Sequence, residues 1–551
     1  MYFFNCYNSL DKIMLVDYFA MILIAIISTI FFVFSSYKLL QILQLSGYKI
    51  GQMFKWLKKT KFVYFSRLLM LSFLSCASML ITNVLMRDFF VVKSLEYFAF
   101  GFFILFASFF IVLLFSEKKK TPLKLTKRVV RLVVSLSIIT FIFSVLIEFA
   151  GYMFVPYLAY GLIAIVPIFL PLLVSLAALI NAPIEKIIYK SYIKKSKQKL
   201  ETFKGIKVIG ITGSYGKTSV KNILTKILSE KFKVCSTPEN FNTPMGLSKT
   251  ILENLREGDE ILVAEMGARN LNDISELCEF VKPTIGVITG IGNQHLETFK
   301  SIENIIKTKA ELAKYVTENH GKLFINVDSK NAKTLSESYK NAHLVSFLEQ
   351  KDLIFDKIDI SLSGTNFDIK YKEEIINVQY KLLGEHNLSN LYLAVSVAFG
   401  LGLSLDEIKS GIEKIECVQH RLQLIDSSNY KIIDDSYNCS VEGSKASLKF
   451  LKTCKISGNK IVITPGMVEL GEEQFSANFE FGKDLANSCD YVIIDSNVNY
   501  DAIKNGLLEE KFDESKIIKT ANLDEAVSKL AEIASKNDIV LFENDLPDNY
   551  S

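Results

Sequence analysis

The sequence predicts an α/β protein in three parts: an N-terminal bundle of about five transmembrane helices, a P-loop-type parallel α/β domain, and a C-terminal Rossmann-like α/β domain. Three observations carry this reading. Long apolar runs crowd the first third of the 551 residues. A glycine-punctuated loop, GITGSYGKTS (210–219), follows a short β-rich run and opens a helical pattern. Beyond it, strand-like and helix-like stretches alternate, as in a parallel sheet covered by helices.

The apolar runs are Leu15–Tyr37, Leu68–Met86, Leu95–Phe115, Leu132–Ala150 and Leu158–Ile180. Each is close to the ~20 residues a helix needs to cross ~30 Å of hydrocarbon. Asp11 and Asp17 flank the first run and no small-residue cleavage site follows it, which argues against a cleaved signal peptide. The loops set the orientation. Lys38, Lys49, Lys55, Lys58, Lys59, Lys61 and Arg67 follow the first run without an acidic residue. Lys118, Lys119, Lys120, Lys124, Lys127, Arg128 and Arg131 follow the third against Glu117 alone. Positive loops stay inside, so the reading is a multi-pass cell-membrane protein with its N-terminus outside and everything after Ile180 in the cytoplasm. Residues 1–185 form the transmembrane domain. A basic juxtamembrane linker (186–204) carries Lys186, Lys190, Lys194, Lys195, Lys197 and Lys199, suited either to anionic headgroups or to plain solvation. Glu148, near the outer end of the fourth run, is expected to snorkel to the interface. Pro156, Pro167 and Pro171 are expected to kink or delimit the fifth helix.

Net charge is only +4, which points to no nucleic-acid partner. The eight cysteines show no CxxC and no Cys/His cluster, so neither a disulfide framework nor a zinc site is indicated.

In the cytoplasmic part, Lys207–Ile211 reads as a strand, Thr218–Lys231 as a helix, and Ile261–Glu265 and Ile285–Thr289 as buried strands. A second series has strands at 461–464, 491–495 and 538–543, and a boundary near His420 separates domains 205–419 and 420–551. The strict phosphate-loop pattern has glycine where this chain has Ile211. The strand–loop–helix context is nonetheless the right one for ATP. Gly213 and Gly216 permit positive φ and close backbone approach, and Ser214 and Ser219 complete the loop. Amides at the start of the helix would face phosphate oxygens. Lys217 would reach the β- and γ-phosphates, and the Thr218 hydroxyl could ligate Mg²⁺.

This variant loop resembles that of the Mur ligase superfamily, ATP-dependent enzymes that join an amino acid or peptide to a carboxylate. The resemblance covers residues of about 205–530. TPENFNTPMGL (237–247) is similar to the substrate-side loop of the D-alanyl-D-alanine-adding members. EMGARNLNDISEL (265–277) resembles the Mg²⁺-binding glutamate motif, ITGIGNQHLETF (288–299) the histidine motif and KTKAEL (307–312) the lysine motif. LLGEHNLSNLYLAVSVA (382–398) resembles the adenine-binding stretch. HRLQLI (420–425), IDDSYNCS (433–440) and TPGMVELG (464–471) resemble the start and the substrate-facing loops of the C-terminal domain.

The resemblance implies ligation of D-Ala-D-Ala to a muramoyl-tripeptide in peptidoglycan precursor synthesis, through an acyl phosphate. Making an amide from a carboxylate needs an activated acyl group, and cations and oriented amides must balance the charge on the transferred phosphoryl. The implied catalytic set is Lys217, Glu265, His295 and Lys309. Glu265 with Thr218 would hold one Mg²⁺. His295 and a carbamylated Lys309 would serve a second, with Lys307 a nearby competitor for the lysine role. Asn387 would contact adenine, and Arg421 and Asp435 would approach the nucleotide when the domains close. Asn240, Asn242, Thr243, Ser436, Tyr437 and Asn438 are implied substrate contacts, some of them turn residues only.

Three features depart from the family pattern. Apolar helices stand where a small UDP-binding domain is usual, Gly290 replaces a common asparagine, and VLFENDLPDNYS replaces a glycine/lysine-rich stretch. They keep alternatives open: a lipid-linked or other cell-envelope acceptor at the bilayer, poly-γ-glutamate-type synthesis, or a membrane scaffold without turnover.

Overall fold

The structure, a computed structural model, describes residues 22–59, 122–154, 166–239, 241–294, 296–417, 419–427, 429–437 and 441–543. It divides near Tyr189 into two compact units.

The first unit contains α1 (Ile22–Ser35), α2 (Tyr37–Leu45), α3 (Ile50–Lys59), α4 (Lys127–Phe154) and the first part of α5 (Val166–Thr202). The runs Leu68–Met86 and Leu95–Phe115 lie outside the described residues, as do the first parts of the runs beginning at Leu15 and Leu158. Among the described residues, α4 over Lys127–Ala150 and α5 are long and apolar enough to cross a membrane. α1 and α2 pass together as a pair bent by 43°. The bend falls where Ser35 Oγ donates to Phe31 O (2.8 Å) and Ser36 Oγ to Val33 O (2.7 Å), hydroxyl bonds to the preceding turn that bend helices.

α4 is two-faced. Val134, Ile138, Ile142 and Leu146 recur at four-residue steps and are each more than half exposed, whereas Thr140, Ser144 and Glu148 are fully buried. Glu148 therefore does not snorkel. It is offset from the exposed stripe by about half a turn, so its carboxylate points inward, where neither oxygen has a hydrogen-bond partner among the described residues. α5 runs unbroken through Pro171 and Pro183 to Thr202, so the basic stretch is helical. Pro167, at its second position, sits where a missing N–H costs nothing. Pro156 lies outside the described residues.

The second unit holds two helix-covered sheets. In chain order the first part is β1 (Lys207–Thr212), α6 (Lys217–Leu228), β2 (Val234–Ser236), α7 (Pro244–Glu253), β3 (Ile261–Glu265), α8 (Asp273–Val281), β4 (Ile285–Ile288), α9 (Leu296–Phe299), α10 (Ile302–Glu318), β5 (Lys322–Asn326), α11 (Lys330–Ser336) and β6 (His343–Val345). A meander, β7 (Leu353–Ser361), β8 (Gly364–Tyr371) and β9 (Glu374–Tyr380), leads to α12 (Glu385–Gly400) and α13 (Leu405–Glu413). The rest is β10 (Gln423–Asp426), β11 (Lys431–Asp435), α14 (Val441–Thr453), β12 (Lys460–Thr464), α15 (Gln474–Ala486), β13 (Tyr491–Ile494), α16 (Tyr500–Glu509), β14 (Ile517–Lys519), α17 (Leu523–Ile533) and β15 (Ile539–Glu543).

The first sheet has the order β2-β3-β1-β4-β5-β6 and is parallel throughout. The chain moves outward from β1, returns through β3 and crosses to β4. The carboxyl ends of β1, β3 and β4 consequently open at a reversal of strand order, where α/β sheets bind ligands. The second sheet, β10-β11-β15-β12-β13-β14, is parallel except at the β10 edge. The antiparallel meander was not read from the sequence. Its apolar positions alternate only loosely, and a register shift between Asp356 and Asp359 breaks the period of two.

α6 buries Val220, Ile223, Leu224, Ile227 and Leu228, one stripe at helical spacing, against Ile209, Ile211 and Val263 of the sheet and Leu391 and Val395 of α12. This packing fixes the helix that starts at the glycine loop. Leu224→Ala should lower the free energy of opening by about 2–5 kcal/mol, read from hydrogen exchange of the β1 amides in the full chain.

Candidate active site

The loop Gly213–Gly216 is held down from the side of β4. Ser214 N–H donates to Gly290 O (2.8 Å) and Ser214 Oγ to Gly292 O (3.0 Å), while Thr289 Oγ1 donates to Tyr215 O. The glycines follow from this closeness. A Cβ at Gly213 would lie 2.0 Å from Thr289 Oγ1, and Gly216 caps α6 with φ 80°. A Cβ at Gly290 would lie 2.0 Å from the Tyr215 ring, so the departure at 290 has a cause in the tyrosine opposite.

Lys217 folds back across the loop, donating to Gly213 O (2.7 Å) and Ser214 O (2.8 Å). Burial lowers its pKa to about 8, with Glu265 opposing and Arg421 adding to the shift. Thr218 Oγ1 accepts from Arg421 Nη2 at 3.4 Å, and the guanidinium lies over the Tyr437 ring at 4.4 Å. Ser219 is buried in the first turn of α6.

Glu265, the last residue of β3, is fully enclosed. Its Oε1 accepts from Asn242 Nδ2 (3.1 Å), its N–H donates to Thr237 Oγ1 (3.1 Å), and Lys221 Nζ stands 3.3 Å from Oε2. That last contact is close enough for charge compensation, yet Oε2 has no aligned hydrogen bond among the described residues. Lys221 was missed in the sequence. Its signal was its place one helical turn after Lys217 on a face that is otherwise apolar.

Lys309 on α10 is 3% exposed. Its pKa falls to about 7, first through burial and then through the charge of Lys217, against the pull of Glu311 and Asp273. Glu311 is committed elsewhere, accepting the Asn272 and Ser275 N–H groups at the start of α8 (2.8 Å each). The structure thus brings Glu265, Lys309 and Arg421 each within electrostatic reach of Lys217. His295, Asn240 and Asn438 lie outside the described residues. Among those described, no group of three or more His, Cys, Asp and Glu side chains gathers. Thr218 and the open Oε2 of Glu265 are nonetheless hard oxygen donors of the kind Mg²⁺ takes.

The other expected residues divide. Asn387 is buried in the first turn of α12, its amide donating to Leu383 O (2.8 Å). Beside it, His386 is driven to a pKa of about 4 by burial and then by Arg421. Asp435, at the end of β11, is pushed up to about 6 by burial and accepts the Leu422 N–H (3.1 Å). Two of the expected substrate contacts use their side chains locally. Thr243 caps α7 by accepting from Gly246 N–H (3.3 Å), and Ser436 donates through N–H and Oγ to Asp434. Asn242 is on Glu265, and Tyr437 is exposed beneath Arg421.

Residues 211–398 match the Mur ligase middle domain, and residues 420–543 match the Mur ligase glutamate ligase domain. The chain belongs to the Mur ligase family. It is 32% identical over 284 residues to the UDP-N-acetylmuramoyl-tripeptide–D-alanyl-D-alanine ligase of Buchnera aphidicola subsp. Baizongia pistaciae, covering 51% of this chain and 61% of that protein. It is 28% identical over 348 residues to the Bacillus subtilis ligase of the same name, covering 62% and 73%. Several of the curated relatives are thus spanned over about three fifths of their length. Among solved structures, MurF from Acinetobacter baumannii superposes with a TM-score of 0.58 at 25% identity, over 65% of this chain and 77% of that one. MurF ligase from Thermotoga maritima in complex with ADP gives 0.57 at 28%, over 65% and 80%.

In this Mur ligase, Gly290→Asn should push Tyr215 off β4, an overpacking cost of about 1–3 kcal/mol. ADP binding measured by calorimetry should weaken correspondingly, and Tyr215→Ala in the same chain should restore it.

Proposed function

We propose that this Mur ligase uses ATP and Mg²⁺ to join D-Ala-D-Ala to a UDP-N-acetylmuramoyl-tripeptide in peptidoglycan precursor synthesis, by way of an acyl phosphate. The observation that carries the reading is the convergence of Lys217, Glu265 and Lys309 at the carboxyl ends of β1 and β3, in a chain whose curated relatives bear that ligase name.

The loop amides and Lys217 hold the nucleotide phosphates, with Gly213, Ser214, Gly216 and Ser219 shaping the cradle. Thr218 and Glu265 would hold one Mg²⁺, with His295 and Lys309 serving a second. Metal ions held there would supply positive charge to offset that on the transferred phosphoryl group. Lys309 is suited to carbamylation, because its neutral amine is the form that adds CO₂. The nitrogen bonds to carbon, one proton leaves to solvent, and the product is an anion. That anion beside the Lys217 ammonium replaces repulsion by attraction. Arg421 and Asp435 complete the site from the C-terminal domain, and Asn387 orients the adenine end. Asn240, Asn242, Thr243, Ser436, Tyr437 and Asn438 border the substrate carboxylate and the incoming amine.

The same reading gives the chain a multi-pass place in the cell membrane, N-terminus outside and ligase inside, in contact with the lipid bilayer. It assigns a bundle of about five helices to 1–185, the juxtamembrane segment to 186–204, and the ligase domains to 205–419 and 420–551. The apolar stripe of α4 and the basic end of α5 support it.

With ATP and D-Ala-D-Ala, the full chain should convert soluble UDP-linked tripeptide to the pentapeptide, followed by mass spectrometry. Product formed only from a lipid-linked tripeptide would move the acceptor to the bilayer. Lys217→Met should lower kcat by roughly 10²–10³-fold. Because the Lys309 amine is neutral above pH about 7 and protonated below it, carbamate should be lost as pH falls through that value. A ¹³C-bicarbonate carbamate resonance should therefore weaken between about pH 8 and about pH 6, roughly one unit either side of the pKa, and be missing in Lys309→Ala.

A further inference from the structure

Glu265 is tied to the segment that carries Glu239 and Asn242 by more contacts than packing requires. Lys221 and Glu265 are each 1% exposed, and the ammonium 3.3 Å from Oε2 also donates to the carbonyl of Glu239. Asn242 Nδ2 donates to the other carboxylate oxygen, and Asn242 O accepts the N–H of Gly267 (2.8 Å), two residues past Glu265. Thr237 Oγ1 accepts the N–H of Glu265 itself. Both ends of the segment are thus fastened to the strand end that carries the carboxylate.

A buried carboxylate left without a countercharge is strongly destabilising. Lys221 supplies that charge by proximity rather than by an aligned bond, so a lone pair of Oε2 stays open to another cation. A divalent ion arriving there would repel the ammonium. The ammonium already has a second acceptor, the Glu239 carbonyl, towards which it can turn.

We propose that Lys221 is a positioning residue that balances Glu265 before the metal arrives and, once displaced, pulls in the segment bearing Glu239 and Asn242, so that metal occupancy and acceptor binding are coupled. This rests on the assignment of Glu265 to Mg²⁺ made above. Lys221 opposes the metal and favours the acceptor, opposite effects that a purely structural lysine would not produce.

The test titrates Mn²⁺ into the full chain saturated with a non-hydrolysable ATP analogue, with free Mn²⁺ read by electron paramagnetic resonance. Lys221→Met should bind Mn²⁺ roughly tenfold more tightly, since a like charge has gone. It should also raise the KM for the tripeptide acceptor several-fold, whereas Lys221→Arg should stay close to the unmodified protein in both. Lys221→Met binding Mn²⁺ equally or more weakly, while Glu265→Gln binds it poorly, would overturn the proposal and leave the metal site standing. Unchanged Mn²⁺ binding in Glu265→Gln would instead overturn the site assignment beneath it. Should Lys221→Met not fold, hydrogen exchange in the unmodified chain decides. Added Mn²⁺ should slow exchange at the Phe241–Thr243 amides, and no change there refutes the coupling.

Discussion

Two lysines, Lys217 and Lys221, face one buried carboxylate, and a third, Lys309, stands within reach of Lys217. Lys217, Lys221 and Lys309 are drawn into the enclosed end of the first sheet with Glu265, and Arg421 reaches in from the second sheet. Such an excess of positive charge is tolerable only where each ammonium has a carbonyl, a carboxylate or a lowered pKa to lean on. Lys217 has the Gly213 and Ser214 carbonyls, Lys221 has Glu239 and Glu265, and Lys309 has its depressed pKa. A site with this charge is suited to polyanions.

The backbone around this charge is correspondingly tight. The glycine loop and the end of β4 approach so closely that side chains are excluded at Gly213 and Gly290. Tyr215 fills the space that Gly290 leaves. The second sheet contributes through contacts that cross to the first: Arg421 to Thr218, and Asn293 to Glu473 at 3.2 Å. Lys449 to Glu385 adds a third polar contact, and Leu383 packs in one apolar cluster with Leu422 and Ile433, so the two parts meet through both kinds of contact.

The first unit has a different kind of surface. α4 presents apolar residues outward at four-residue steps and turns Thr140, Ser144 and Glu148 inward, the reverse of a helix in water. The chain thus combines a helical unit with an apolar outer stripe and a unit of ordinary polarity, a division visible as a change of composition near Ile180.

Much of this was legible in the residues. The strands at 261–265 and 491–494, the start of α6 and the glycine loop are local signals, because strand burial and helix starts are written in short runs and single residues. The sequence by itself determined the apolar runs, the alternation of strands and helices, and the glycine loop between β1 and α6. Only the tertiary structure decided which way Glu148 faces, that α5 continues to Thr202, and that Lys221 meets Glu265. Those outcomes depend on partners distant in sequence, and on the cost of burying a charge, which exists only once the chain has closed around it.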